Sequence, residues 1–252
     1  MNILITNDDG INADGILELA KAMKSIANVY VVAPDSQRSA TGHAITVHNP
    51  IMVKDAYVDE DIKAYAISGT PADCVKVGIE ALFSDIEFDL VLSGINNGPN
   101  LGTDVIYSGT VSAAIEGLVQ NKPAIAVSYD KFNVDSETYK EAAKYVVNIV
   151  SNIKDNLNIF EDCILNVNIP SSDIKGSKIT TLGERKYDNA LEERVSPYGF
   201  RYFWIGGKIR ELNQDESSDI KAIENGYISI TPVNIEMTNL NKVKILNDMN
   251  IF

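Results

Sequence analysis

The sequence predicts an α/β protein: a mostly parallel sheet covered by helices on both faces, interrupted by one inserted β-hairpin and followed by an extended carboxyl-terminal β arm. Three observations carry that expectation. Short apolar runs alternate with amphipathic stretches at helical spacing through residue 170, the order of a chain that winds a parallel sheet. Two adjacent β-rich runs, 44–54 and 62–67, break the alternation once. From Ser171 the texture becomes polar and charged, with one aromatic, β-prone run. The expected organisation is a catalytic core over 1–170 and a carboxyl-terminal segment over 171–252 that holds an oligomerisation arm and a closing strand and helix.

Ile3-Leu4-Ile5 is a buried strand that breaks into Asn7-Asp8-Asp9-Gly10, and a helix follows with Ile16, Leu19, Ala20 and Met23 on one face. In an open α/β sheet, ligands bind outside the carboxyl ends of the strands, which makes this turn a place for chemistry. A dinucleotide-binding turn is glycine-rich because backbone amides approach a pyrophosphate; two carboxylates there repel the anion. Asp8 and Asp9 make sense together if a divalent cation sits between protein and substrate and inverts the local charge. The competing reading is local: Asn7, Asp9 or Asp14 closes the turn or caps the helix.

A second strand, 29–33, ends in the loop Pro34-Asp-Ser-Gln-Arg-Ser-Ala-Thr-Gly42. In a parallel sheet this loop emerges on the same edge as Asp8 and Asp9, which makes Ser36, Ser39 and Thr41 candidate oxygen donors and Arg38 a candidate anion partner. The hairpin follows, its two runs joined by Asp59-Glu-Asp61. His43 and His48, the only histidines, lack a carboxylate or thiol at ligand spacing and are read as non-catalytic. Ser68-Gly-Thr-Pro-Ala-Asp73 starts a helix, with Thr70 as N-cap, Pro71 where a missing amide costs nothing and Asp73 in the first turn.

Residues 88–92 form the next strand and lead into Ser93-Gly-Ile-Asn-Asn-Gly-Pro-Asn-Leu-Gly102, read as a loop whose Asn96, Asn97 and Asn100 offer carbonyl oxygens to a cation or amide hydrogens to a phosphate. Ser108-Gly109-Thr110 stand at the start of a helix with Val111, Ala114, Ile115, Leu118 and Val119 as its apolar stripe. They either hold a phosphate or simply cap the helix. A strand at 123–128, a helix at 137–152 and a strand at 163–167 complete the alternation. The run Phe200-Arg-Tyr-Phe-Trp-Ile-Gly-Gly207 is hard to bury on its own core and is expected to pack on a neighbouring subunit.

Composition narrows the function. Asp plus Glu outnumber Lys plus Arg by 35 to 22, a formal charge of -13, which is the wrong sign for broad binding to a nucleic-acid polymer. No apolar stretch nears 18 residues and no basic segment precedes the first strand, so neither a membrane span nor a signal peptide is expected, and the reading is cytoplasmic. Cys74 and Cys163 show no metal-ligand spacing, in keeping with a reducing compartment.

Five ordered segments, Ile5-Thr-Asn-Asp-Asp-Gly10, Gln37-Arg-Ser-Ala-Thr-Gly42, Ser68-Gly-Thr-Pro-Ala-Asp73, Ser93-Gly-Ile-Asn-Asn-Gly-Pro-Asn-Leu-Gly102 and Tyr107-Ser-Gly-Thr-Val111, together resemble the SurE family of metal-dependent nucleotidases, also called stationary-phase survival proteins. Tyr202-Phe-Trp-Ile-Gly206 and Gly226-Tyr-Ile-Ser-Ile-Thr-Pro232 fit as well, while Ser196-Pro-Tyr-Gly199 and Val233 depart from the usual pattern. The resemblance implies a Rossmann-like three-layer core, with Asp8, Asp9, Ser39 and Asn96 as ligands of one magnesium or manganese ion per subunit. It implies Asp8, Asp9 and Asn96 as catalytic residues, and Asn100, Ser108, Gly109 and Thr110 near the substrate phosphate. The implied reaction is hydrolysis of nucleoside 5'- and 3'-monophosphates, with short polyphosphate a further substrate of some members, in a homodimer or homotetramer. Direct attack by water and an aspartyl phosphate on Asp8 both remain open. The rival from another class is a metal- and nucleotide-binding sensor without turnover.

Overall fold

Ile3 and Ile5 point to one side of the first strand and Leu4 to the other, and all three are fully buried. This alternation divides the interior into two apolar layers, one on each face of the sheet. The computed structural model describes residues 1–210, 212 and 214–249. The amino-terminal half runs β1 (Asn2–Thr6), α1 (Asp14–Met23), β2 (Asn28–Pro34), β3 (Val53–Ala56), β4 (Lys63–Ile67), α2 (Pro71–Val77), β5 (Leu90–Asn97), α3 (Gly109–Val119) and β6 (Ala124–Tyr129). There follow α4 (Ser136–Ile153), β7 (Cys163–Ile169), β8 (Ser177–Ile179), β9 (Tyr187–Asp188), β10 (Leu191–Val195), β11 (Arg201–Ile205), β12 (Lys208–Ile209), α5 (Asp219–Glu224), β13 (Ile228–Asn234) and α6 (Leu240–Asp248).

Nine strands form the central sheet in the order β3-β4-β2-β1-β5-β6-β7-β13-β8. The six from β4 to β7 are parallel, while β3 runs against β4 and β13 against β7, with β8 parallel to β13. Helices α1 and α4 supply one layer, with Ile16, Leu19, Ala143 and Val146, and α2 and α3 the other, with Val75, Val111 and Ala114. The expected three-layer α/β core is therefore present. Strands from beyond residue 170, β8 and β13, finish the same sheet.

Local signals explain the element boundaries. Thr70 and Asp73 form a reciprocal capping box at α2, with Pro71 at the first helical position. That box also changes the hairpin. The Asp73 carboxylate accepts from the Thr46 amide at 3.0 Å and the Thr70 hydroxyl donates to the Ala44 carbonyl at 2.6 Å. Residues 44–52, expected as strand, are held as a loop on the helix start, and only Val53–Ala56 pairs with β4. A second departure concerns β5. The segment from Ser93, expected as loop, continues as strand to Asn97 by pairing with β6 across a register shift between Ser93 and Asn96. The short helix α5, capped by Ser218, had no recognised signal.

The arm is a hairpin of β10 with β11, extended at its base by β9 with β12. Its aromatic residues stand in solvent: Tyr198, Phe200, Tyr202, Phe203 and Trp204 are all exposed, and α6 buries none of its described residues. Among the described residues no helix is long and apolar enough to cross a membrane.

The packing of α1 on β5 is close enough to test. A Cβ placed on Gly15 would lie 2.0 Å from the Ile95 carbonyl oxygen, a backbone atom that cannot step aside. Gly15→Ala is expected to destabilise the fold by about 3 kcal/mol, the upper range for overpacking. Urea unfolding checks it, and a loss below about 1 kcal/mol contradicts the close packing.

Candidate metal and phosphate site

The carboxyl ends of β1, β2, β5, β6 and β7 converge on one edge, and the site is assembled from the turns that leave them. After β1, Asn7 closes the turn on itself: its Oδ1 accepts from the Gly10 amide at 3.1 Å and its Nδ2 donates to the Gly10 carbonyl at 3.0 Å. Of the local roles open to the acidic residues here, neither Asp9 nor Asp14 is taken up as a helix cap. The residue before α1 is Ala13, with no side-chain capping bond. Asp8 and Asp9 are thereby left with their carboxylates unspent on the turn. The Arg38 amide donates to the Asp8 carbonyl at 2.7 Å, which docks the loop after β2 onto this turn.

Asp8 is 4% exposed, and the Thr110 hydroxyl donates to its Oδ1 at 2.5 Å. It lies directly against the start of α3, since a Cβ on Gly109 would come within 2.8 Å of the Asp8 Cβ. Asp9 accepts from the Asn97 amide at 2.9 Å and from Gln37 Nε2 at 3.4 Å, and Gln37 also donates to Ser39 Oγ at 2.9 Å. Asn96 turns its Nδ2 to the Gly98 carbonyl at 2.8 Å, which leaves Oδ1 as its outward group. Asp8, Ser39 and Asn96 line one cavity of about 680 Å³. Asp9 lines a smaller one of about 270 Å³ together with Gln37, Asn97 and Tyr139.

Ser108 caps α3 by accepting from the Val111 amide at 3.1 Å, and it faces the large cavity. Capping and facing the cavity are compatible, because accepting that bond leaves the hydroxyl proton free to be donated. Thr110, expected at the phosphate, is fully buried with its hydroxyl on Asp8. Asn100 reaches the cavity from a buried polar network: its amide nitrogen donates to Ser128 Oγ at 2.8 Å, and its backbone is held by Asn168 and Asn166.

Two further expectations are corrected, for Arg38 and for the hydroxyls of Ser36 and Thr41. Arg38 is turned away, its guanidinium on the Ser68 carbonyl at 3.1 Å and on Asp35 at 3.3 Å. Ser36 donates to Asp35 and Thr41 to the Arg38 carbonyl, and neither lines the cavity that Ser39 faces. His43 pairs with Glu116 at 2.9 Å, and neither histidine lines the cavity. Reading the sequence missed Gln37, which bridges Asp9 and Ser39, and the cavity residues Asp104, Phe132, Tyr187, Ala190, Ile205 and Gly206. Gln37 adjoins the Arg38-Ser39 motif and was findable there. The others come from distant loops and the arm, whose docking no local pattern reports.

Burial pushes the Asp8 carboxyl up to about 6; the Thr110 hydrogen bond restrains that rise and the charge of Asp9 adds to it. Burial raises Asp9 as well, against the bonds from Asn97 and Gln37. Among the described residues no Lys, Arg or His pairs with either carboxylate, and no group of three or more His, Cys, Asp or Glu is placed to hold a metal ion. Two adjacent carboxylates, Asp8 buried and Asp9 half-buried, lack a countercharge, and the nearby donors, Ser39 and Asn96, are neutral oxygens. That set fits a hard divalent cation and suits zinc poorly.

Fold and site together define a doubly wound α/β protein that carries an all-oxygen acidic site at the carboxyl edge of its sheet. The family described as Survival protein SurE matches residues 3–189. The chain is 49% identical over its whole length to the 5'-nucleotidase SurE of Alkaliphilus metalliredigens, of which it covers 99%. It is 48% identical to that of Petrotoga mobilis over 94% of each chain. Its fold matches the crystal structure of the SurE protein from Aquifex aeolicus with a TM-score of 0.83 and 40% identity, covering 98% of this chain and 100% of that one. The chain belongs to the SurE family.

The buried Asp8 carboxyl has a consequence for stability. Because its folded pKa is raised from 3.8 to about 6, its contribution is fully present below 3.8 and is lost as the pH rises through 6. That shift corresponds to roughly 3 kcal/mol. In chelator, Asp8→Asn is therefore expected to be more stable than the wild type at pH 7.5, by up to about 3 kcal/mol, with the advantage shrinking toward pH 4. Urea midpoints at the two pH values test this; equal stabilities at pH 7.5 contradict it.

Proposed function

We propose that the chain is a divalent-metal-dependent phosphatase that hydrolyses nucleoside 5'-monophosphates to nucleoside and phosphate, and that 3'-monophosphates and short polyphosphate fall within its range. The observation that carries this reading is the pair of adjacent carboxylates, Asp8 buried and Asp9 half-buried, without a countercharge beside the amino-terminal end of α3. Relatives named 5'-nucleotidase SurE, matched along the whole chain, support the substrate class.

Asp8, Asp9, Ser39 and Asn96 would hold one magnesium or manganese ion. When bound, it supplies Lewis-acid polarisation of the phosphoryl group and neutralises charge that develops on its oxygens. The chain's own groups do the rest. Thr110 fixes the Asp8 carboxylate through Oδ1, and Asn97 and Gln37 fix that of Asp9, so neither side chain must be ordered when substrate arrives. Gly109 lets the helix start approach Asp8, which brings the unpaired amides and positive end of α3 toward the phosphate. Ser108 keeps a hydroxyl proton to donate to a phosphate oxygen, and Asn100, braced by Asn166, Asn168 and Ser128, presents a fixed amide to the same cavity. One of the two carboxylates accepts the proton of the attacking water.

Two further readings belong with this one. The exposed apolar face of the β10–β11 hairpin supports self-association into a homodimer or homotetramer. The two free cysteines support a cytoplasmic location.

Purified protein with magnesium or manganese is expected to release phosphate from a panel of nucleoside monophosphates and to stop in chelator. Asp9→Asn is expected to lower kcat by about two orders of magnitude or more, the scale of losing one electrostatic contact to the transition state. Tight binding of metal and nucleotide with no phosphate released in any metal would leave a sensor, not an enzyme.

A further inference from the structure

The large cavity has a lining of two kinds. Its polar groups, Ser39, Asn96, Asn100 and Ser108, gather with Asp8; much of the remainder is aromatic, from Tyr107, Phe132 and Tyr187. These three rings are unusually open, with 67%, 63% and 42% of their surface exposed. Among the described residues none of them stacks on another aromatic ring. They surround a common space, and their faces are unspent.

Two of the rings, Phe132 and Tyr187, are also held in place. Phe132 rests on Gly98, where a Cβ would lie 2.1 Å from its ring. Its loop is pinned to the end of β5 by the Asn133 amide, which donates to Asn97 Oδ1 at 2.7 Å. The Tyr187 hydroxyl donates to Asp104 at 2.6 Å, and Arg185 grips the same carboxylate at 2.9 Å. With its hydroxyl engaged on Asp104, Tyr187 lines the cavity with its ring. Side chains that are fixed before a ligand arrives lose little entropy on binding, which is how a recognition surface differs from a loose exposed patch.

We infer that Phe132 and Tyr187 are specificity-determining residues: with Tyr107 they form an aromatic slot that takes the substrate's nucleobase by its flat faces rather than reading its edge. The inference rests on the nucleotidase reading and names what that site selects. Every base has a π-face, so stacking accepts all of them and favours the larger purine over the pyrimidine, while a sugar phosphate without a base gains nothing. Discrimination lies between nucleotides and base-free phosphates, and only weakly among bases.

The test compares kcat/KM for adenosine 5'-monophosphate and ribose 5-phosphate in the wild type, Phe132→Ala, Tyr187→Ala and Tyr187→Phe. Each alanine variant is expected to lower the preference for the nucleotide about tenfold, through KM more than kcat, as for loss of one stacking partner. Tyr187→Phe keeps the ring and is expected to retain most of the preference. Calorimetry on metal-free protein with adenosine and with ribose, neither carrying phosphate, gives a readout independent of turnover: adenosine is expected to bind more tightly than ribose in the wild type and to lose that advantage in the alanine variants. An unchanged preference in both alanine variants, or adenosine binding no tighter than ribose in the wild type, overturns the slot. Adenosine binding with no phosphate released from any nucleotide supports the slot and overturns the nucleotidase reading.

Discussion

Two neighbouring carboxylates at the end of one strand, one buried and one half-buried, with no basic side chain to neutralise them, set the terms for everything around them. Burial makes ionisation costly and the neighbouring Asp9 charge adds to that cost, and the elevated Asp8 carboxyl registers the resistance. Nothing in the turn relieves it. Asn7 satisfies the backbone by itself, and Arg38, on the loop docked against the turn, sends its guanidinium to Asp35 and Ser68. What the fold supplies are single neutral donors, the Thr110 hydroxyl and the Asn97 amide, which orient the carboxylates without cancelling their charge. A site that orients negative charge without cancelling it is matched to a mobile cation.

The sheet makes that arrangement possible because parallel strands deliver their carboxyl ends to one edge. Asp8 follows β1, Ser39 follows β2, Asn96 ends β5, and Asn100 is braced by residues of β6 and β7. Close approach does the remainder. Without a side chain at Gly15 the first helix sits on the Ile95 carbonyl, and without one at Gly109 the third helix sits on Asp8. The first contact fixes α1 and the turn before it relative to β5. The second sets the positive end of α3 beside the acidic pair. Packing at these two positions serves stability and electrostatics at once.

Much of this was legible in the sequence because the signals are local. An apolar triplet followed by Asn-Asp-Asp-Gly gives strand and turn, and Thr70-Pro71-Asp73 gives a helix start. What local chemistry misplaces is set by partners distant in sequence. Residues 44–52 have β-prone composition, yet their backbone groups are claimed by the capping box of α2. Asn96 and Asn97 sit in a segment with the composition of a loop, but β6 extends the ladder to include them. Thr110 looked like a phosphate ligand because it follows a helix cap, and its hydroxyl instead turns inward to Asp8, a contact across 102 positions of sequence. Tyr187 and Phe132 carried no motif, since the cavity they line exists only once the arm's base and the loop after β6 are docked.

The protein's overall charge of -13 sharpens the same logic. A nucleotide phosphate approaching this surface meets repulsion at long range and, at the site itself, two carboxylates. The favourable local terms are the end of α3, worth only about 0.3–1 kcal/mol at a surface, and neutral hydrogen bonds. Neither offsets repulsion from adjacent full charges in a buried setting. A divalent cation brings the acidic pair close to neutrality, so its binding and that of the phosphate are coupled. Linkage makes the coupling reciprocal: whatever factor the cation adds to the affinity for phosphate, phosphate must add to the affinity for the cation. On the proposed ligation, protons would compete with the cation for Asp8, and the same coupling would tie phosphate binding to pH through the carboxyl that the fold holds near 6. The acidic pair, the cation and the anion therefore behave as a single electrostatic unit, and the fold's contribution is to hold the acidic part ready without satisfying it.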